Sequence, residues 1–177
     1  MGKHISAWQT AGFLFTSVFG TFLHFLYDLT GQSLGAALFS AVNESIWEHM
    51  KLIYFPMLIF ALIEYRAWGK ETENFWCVKL FGVILALVLI PVLYYSYTGM
   101  LGMSSHWVNI AIFFLAAGVA YWMESRLFEK GSSCPVSSGV ALSLLLLMGA
   151  AFVFFTFCPP RIPFFQDPVT GEFGRSK

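Results

Sequence analysis

Charge is what this sequence has least of. Asp, Glu, Lys and Arg make up 11% of its 177 residues, against roughly 25% in a soluble domain, and that shortage excludes an ordinary water-soluble fold. The ten basic and ten acidic residues cancel, so no basic surface for a nucleic acid is indicated. Cysteine is sparse as well. Cys77, Cys134 and Cys158 show neither CxxC spacing nor a Cys/His finger pattern, and no disulfide framework is expected. No small-residue cleavage site follows the first apolar run, which at about 20 residues is longer than a signal-peptide core; it reads as a retained transmembrane helix. No internal repeat is visible, and residues 29–35 and 96–105 hold no Lys or Arg.

Apolar residues fill the chain instead, at 58% of the total. Five runs, at about residues 8–28, 34–63, 76–95, 107–123 and 139–157, are long enough to span a ~30 Å hydrocarbon core. They predict an all-α polytopic membrane domain, a five-helix bundle over residues 1–158, followed by a tail at 159–177 whose Pro159, Pro160, Pro163 and Pro168 forbid helix. The second run is longer than a straight span needs, which leaves room for tilt, a kink at Pro56 or an unwound turn around Asn43 to Ser45. The stretches 64–74 and 124–138 read as charged loops, and 96–105 as a short uncharged turn. Lys3, Arg66, Lys70, Arg126 and Lys130 flank one face, so the positive-inside rule places the N-terminus in the cytoplasm and the tail outside. Arg161, Arg175 and Lys177 in the tail are the discordant count.

The polar residues that remain are concentrated. Val42 to Lys51 reads VNESIWEHMK, and a charge at the centre of a spanning helix costs at least ~2.5–3.5 kcal/mol, so this stretch needs partners. Ser17, Thr21, His24 and Asp28 recur at helical spacing on one face of the first helix. Glu44, Glu48 and Lys51 form a stripe on the second, Ser45 and His49 a neighbouring one, and His106 with Asn109 opens the fourth. All of these fall in the outer leaflet, whereas the inner halves of helices three to five carry almost no polar residue. One outward-facing polar cavity is expected. Its chemistry is that of a divalent-metal site, with His24, Asp28, His49 and His106 as ligands, Glu44 and Glu48 as general bases, and Thr21, Asn43, Ser45, Lys51, Arg161 and Asp167 in support. Imidazole with carboxylate suits Zn, Fe, Mn or Ni better than Ca or Mg, and zinc with an open coordination position is the form that activates water.

Several of these residues have plainer readings. Glu48 with Lys51 also reads as an i, i+3 ion pair that neutralises itself inside the bundle, His106 as an interfacial residue, and Asn43 as a partner for broken backbone. The tail is too apolar at Ile162 to Phe165 for a free solvated segment. It is expected to fold over the outer mouth with Phe164 and Phe165 in the interface, either as a lid that brings Arg161 or Asp167 to the cavity or as a membrane-surface anchor.

HFLYD at 24–28, VNESIWEHMK at 42–51 and the ending PPRIPFFQDPVTGEFG together resemble an uncharacterised family of small multi-pass membrane proteins from bacteria and archaea. The likeness spans nearly the whole chain and implies a prokaryotic plasma membrane, but no activity. A looser similarity is to the transmembrane hydrolases related to alkaline ceramidases and adiponectin receptors, whose zinc is held by histidines and an Asp near one membrane face. Those have seven helices and a late HxxxH pair, whereas this chain offers five and no HxxxH.

Three functions of different classes fit these residues. The first is a metal-dependent hydrolase acting on a lipid or small amphiphile that enters from the outer leaflet. The second is proton- or ion-coupled transport through a relay of Asp28, Glu44, Glu48 and Lys51, against which stands the lack of a repeat. The third is a small-molecule-binding subunit of a larger membrane complex or oligomer, joined through the apolar surfaces of helices three and five. Haem ligated by two of the histidines is a remoter variant.

Overall fold

The computed structural model describes residues 2–131 and 134–175. Lys177, counted in the charge of the tail, lies outside the described residues, as does the side chain of Lys3. Helix α1 runs Gly2–Leu29, α2 Leu34–Phe39, α3 Ile46–Ala67, α4 Phe75–Leu101, α5 His106–Lys130 and α6 Ser138–Phe157. Five of them, all but the six-residue α2, are long and apolar enough to cross a membrane. Helix α3 is central and packs on α1, α4 and α6, while α5 closes the bundle against α1 and α4. Ile53, Tyr54, Phe75, Leu145 and Phe152 fill the interior, and Val18 and Leu147 face outward. The outward-facing apolar side chains are what a lipid-bathed bundle requires, since lipid offers no penalty to them.

Several boundaries differ from the sequence expectation: α1 begins at Gly2 rather than near residue 8, and α3 runs on to Ala67 instead of ending at 63. The single helix expected over 34–63 is two, because residues 40–45 are unwound. The segment 96–105 is helical as far as Leu101, where Gly102 adopts a left-handed φ of 67° and ends α4. Polar residues there do not signal a turn, because Ser96 and Thr98 direct their hydroxyls back onto the carbonyls of Val92 and Tyr94. Likewise α5 continues past Met123 to Lys130, because Glu124, expected to start a charged loop, is fully buried.

That glutamate belongs to an ion cluster at the end of the bundle nearest the N-terminus. Lys79 of α4 pairs with Glu64 at the end of α3 and, at 2.6 Å, with Glu124 of α5. The helix ends expected to face the cytoplasm are therefore not free of polar residues. A second correction concerns the cysteines. Cys77 and Cys134 form a disulfide with their Cα atoms 6.3 Å apart, and only Cys158 is free. Their sequence separation of 57 hides the bond; antiparallel packing of α4 on α5 returns the chain to the start of α4. The same end of the bundle carries the basic flanks Arg66, Lys70, Arg126 and Lys130, so a disulfide that marks an oxidising compartment sits beside residues that mark a cytoplasmic one.

The tail folds back over the opposite end. A 3-10 turn at Pro163–Phe165 places Phe164 and Phe165 against Trp47, at ring-centroid distances of 6.0 and 4.8 Å. A bridge between Gln166 and Phe173 then closes a tight loop.

Candidate metal centre

The break between α2 and α3 delivers the site. Unwinding leaves backbone groups that need partners in a dry environment, and the VNESIWEHMK stretch supplies them. Ser45 caps α3 by accepting from Glu48 N–H at 3.3 Å, and Asn43 Oδ1 accepts from Ser45 N–H at 2.9 Å. Val42 N–H donates to Glu48 Oε2 at 3.1 Å, and Glu44 N–H donates to Asp167 Oδ2 of the tail at 3.4 Å. On the other side Ser40 wedges its hydroxyl into α1, donating to the Leu23 carbonyl and accepting from Tyr27 N–H at 3.0 Å. That wedge flanks His24 on both sides and fixes its height in the bundle.

Three of the expected residues meet here. Glu44 leaves the unwound segment with one carboxylate oxygen 3.5 Å from His49 Nε2 and the other 4.0 Å from His24 Nε2. The two imidazole rings are 5.4 Å apart between centroids. One donor atom from each residue lies within 4.8 Å of the others, a grouping that can hold a metal ion. Bonds of about 2.0–2.1 Å put tetrahedral donors roughly 3.3 Å apart, so modest side-chain rotation closes the set. The second shell is partly in place. His49 Nδ1 lies 3.0 Å from the Ser45 carbonyl, which as acceptor fixes the proton on Nδ1 and leaves Nε2 free to ligate. His24 Nδ1 is buried with no partner among the described residues.

The other expected ligands are elsewhere. Asp28 is exposed one turn beyond His24 and is not in the donor group. His106 is also outside it but lines the same space. Asn109 beside it is held by Tyr97 Oη, which donates to Asn109 Oδ1. Glu48 faces away, into a buried network. Its Oε2 accepts from Lys51 Nζ at 2.8 Å and its Oε1 from the Thr156 hydroxyl at 2.8 Å, while Lys51 also donates to the Ala37 carbonyl at 2.8 Å. Lys51 and Glu48 are thus the ion pair of the plainer reading, and they tie α2, α3 and α6 together around the break.

Two cavities open from the cluster. One of about 260 Å³ runs between α1 and α5, with Thr21, His24, Glu44, His49 and His106 at its head and Phe25, Ile110 and Phe114 along it. Those three side chains are 55%, 41% and 38% exposed, so the slot is open sideways to lipid. Gly20 lets α1 pack closely on α3 and α5 beside it, since a Cβ there would come within 2.5 Å of both the Leu52 carbonyl and Phe113. The second cavity, about 420 Å³, shares Glu44, His49 and His106 and is bounded by Pro168 and Val169 of the tail.

The tail is latched by Asn43 and Asp167, which the sequence singles out, and by Arg175, which it does not. Arg161 is exposed, whereas Arg175 Nε donates to Tyr27 Oη and its Nη2 to the Gln32 carbonyl, each at 2.9 Å. Asn43 Nδ2 donates to the Gly174 carbonyl at 2.9 Å. Nothing marks Arg175 in the sequence beyond its lying in an apolar tail. Asp167 is buried and, although burial would raise its carboxyl, the N–H groups of Val169, Thr170 and Glu44 hold it below the usual carboxylate range. A depressed value contributes docking stability that is complete above about pH 4 and is lost as pH falls through the folded value. Hydrogen exchange of the Gly171 and Arg175 amides, which donate to the Asp167 and Thr156 carbonyls, should therefore be flat from neutral pH to about 4 after correction for intrinsic rates, and Asp167→Asn should weaken their protection at pH 7 by ~1–3 kcal/mol.

The chain belongs to the Family of unknown function (DUF6512), whose model matches residues 2–175. No curated protein and no solved structure matches it.

Proposed function

For this member of that family we propose a membrane protein that binds one divalent transition-metal ion through His24, Glu44 and His49 and uses it to hydrolyse a lipid or small amphiphile. The observation that carries this reading is the donor group itself, two imidazoles and one carboxylate within 4.8 Å, at the head of a slot open sideways to lipid. Two His and one carboxylate are the ligand set of catalytic zinc and of open non-haem iron sites. Glu44 acts here as a ligand rather than as a base.

A divalent ion held by these three residues would supply Lewis-acid chemistry toward water and a substrate carbonyl. The chain does the rest. Phe25, Ile110 and Phe114 take the acyl portion of the substrate, the tail residues Pro168 and Val169 cover the water-facing side, and His106 across the slot carries the proton to the leaving group. Zinc fits the donors, as do iron and manganese.

Elemental analysis of the purified protein beside its His24→Ala variant tests the reading. Near one equivalent of Zn, Fe or Mn in the wild type, lost in the variant, is the expected result. Metal missing from both would sink it and favour a binding subunit built on the same cavity.

A further inference from the structure

The bundle holds a second polar centre, at the other end, that the metal centre does not use. Glu64, Lys79 and Glu124 are 0%, 2% and 0% exposed, and they are contributed by α3, α4 and α5. Gln9 of α1 completes the group, its Nε2 donating to Glu64 Oε1 at 2.8 Å and its Oε1 lying 3.5 Å from Lys79 Nζ. The ammonium sits among the rings of Phe75, Tyr121 and Phe128, at 5.5–5.7 Å from their centroids.

The charges here do not balance. Two fully buried carboxylates face one ammonium, and the other residues packed on them add nothing positive. Tyr121 is engaged with the Thr16 hydroxyl at 2.9 Å, α6 carries no charged residue, and Arg66, Lys70, Arg126 and Lys130 are exposed. Donors are short as well. An ammonium has three N–H groups, and those of Lys79 are taken by Glu64 Oε2, Glu124 Oε2 and Gln9 Oε1. Glu124 Oε1 is buried with no partner among the described residues. An unpartnered charged oxygen in a fully buried site is costly, and one added proton removes the excess charge and leaves a neutral group there.

We propose that Gln9, Glu64, Lys79 and Glu124 form a proton-binding site that holds one proton on Glu124 at neutral pH. Glu64, with an ammonium and an amide donating to it, is the carboxyl that stays ionised. Buried carboxyl groups that hold an exchangeable proton within a bundle are the parts from which proton relays are made. From here the next polar groups lead along α1, through the Thr16–Tyr121 pair to Ser17, whose hydroxyl is buried without a partner among the described residues. The site is independent of any metal at His24.

Infrared spectroscopy of the protein in phosphatidylcholine vesicles at pH 7, with and without carboxyl-13C glutamate, reads the proton directly. The wild type should show a protonated-carboxyl C=O band that moves with the label. Glu124→Gln and Glu64→Gln should each abolish it, since each leaves one carboxylate to one ammonium. The double variant Glu64→Gln/Lys79→Met leaves Glu124 as the one ionisable group of the cluster and should keep the band. No labelled band in the wild type overturns the proposal, as does a band that survives both single substitutions or disappears from the double variant. Absence of the labelled band from the wild type overturns the proposal even where a variant fails to fold.

Discussion

Lys51→Ala should cost the folded protein ~3–5 kcal/mol, the loss that follows when one partner of a buried ion pair is removed and the other charge is left alone. Lys51 is fully buried and donates to three acceptors on three elements: Ala37 of α2, Glu48 of α3 and Thr156 of α6. Without it Glu48 keeps only Val42 N–H and the Thr156 hydroxyl, and the Ala37 carbonyl loses the donor that replaces its helical partner at the break. Thermal unfolding in detergent, followed by circular dichroism, measures the effect. Replacing both charges, Glu48→Gln with Lys51→Met, should recover most of the loss, because the introduced amide oxygen can still accept from Val42 N–H, its NH2 can donate to the Thr156 hydroxyl, and no charge remains unpaired. A double variant as unstable as Lys51→Ala would mean that the pair matters for something other than charge compensation.

This pair also shows how far the sequence can be read. The five membrane-crossing helices, the membrane class and the concentration of polar residues at one depth follow from residue type and helical period alone, because each depends on spacing within one helix and on depth in the bilayer. What spacing does not decide is which way Glu48 turns. Glu44 and Glu48 share a stripe only while the helix is intact; residues 40–45 unwind, and that swings Glu44 to the histidines and leaves Glu48 facing Lys51. An unwound turn is among the readings open for this run, but its consequence for the two glutamates needs the structure. The second ion cluster escapes the sequence for a related reason. Gln9, Glu64, Lys79 and Glu124 lie at helix ends, one per helix, where a charge reads as a loop flank; their convergence is a property of four chain segments at once. Lys79 is the available signal, since a lysine a turn inside an apolar helix needs a partner. The disulfide between Cys77 and Cys134 is likewise a contact across 57 residues that no local motif announces.

Glu44→Ala should remove bound metal and activity together, whereas Glu48→Gln should leave the metal in place. Glu44 approaches both imidazoles, 3.5 Å from His49 and 4.0 Å from His24. It is also the one anion of the donor group, so its loss takes away a ligand and the charge that offsets a divalent cation. Its backbone stays fixed by Asp167, and its side chain is 40% exposed, so the truncation should change stability by less than about 1 kcal/mol. Metal titration of the two apo-proteins, followed calorimetrically, separates the cases. Affinity at least ~100-fold weaker in Glu44→Ala is the expected result, the scale on which even the outer-shell partners of ligands act. Unchanged affinity with lost lipid hydrolysis would instead make Glu44 a base, return the third ligand to His106 or Asp28, and require the slot between α1 and α5 to close on the metal from the α5 side. A change in hydrolysis for Glu48→Gln that outlasts restoration of its stability would reopen the same question from the other glutamate.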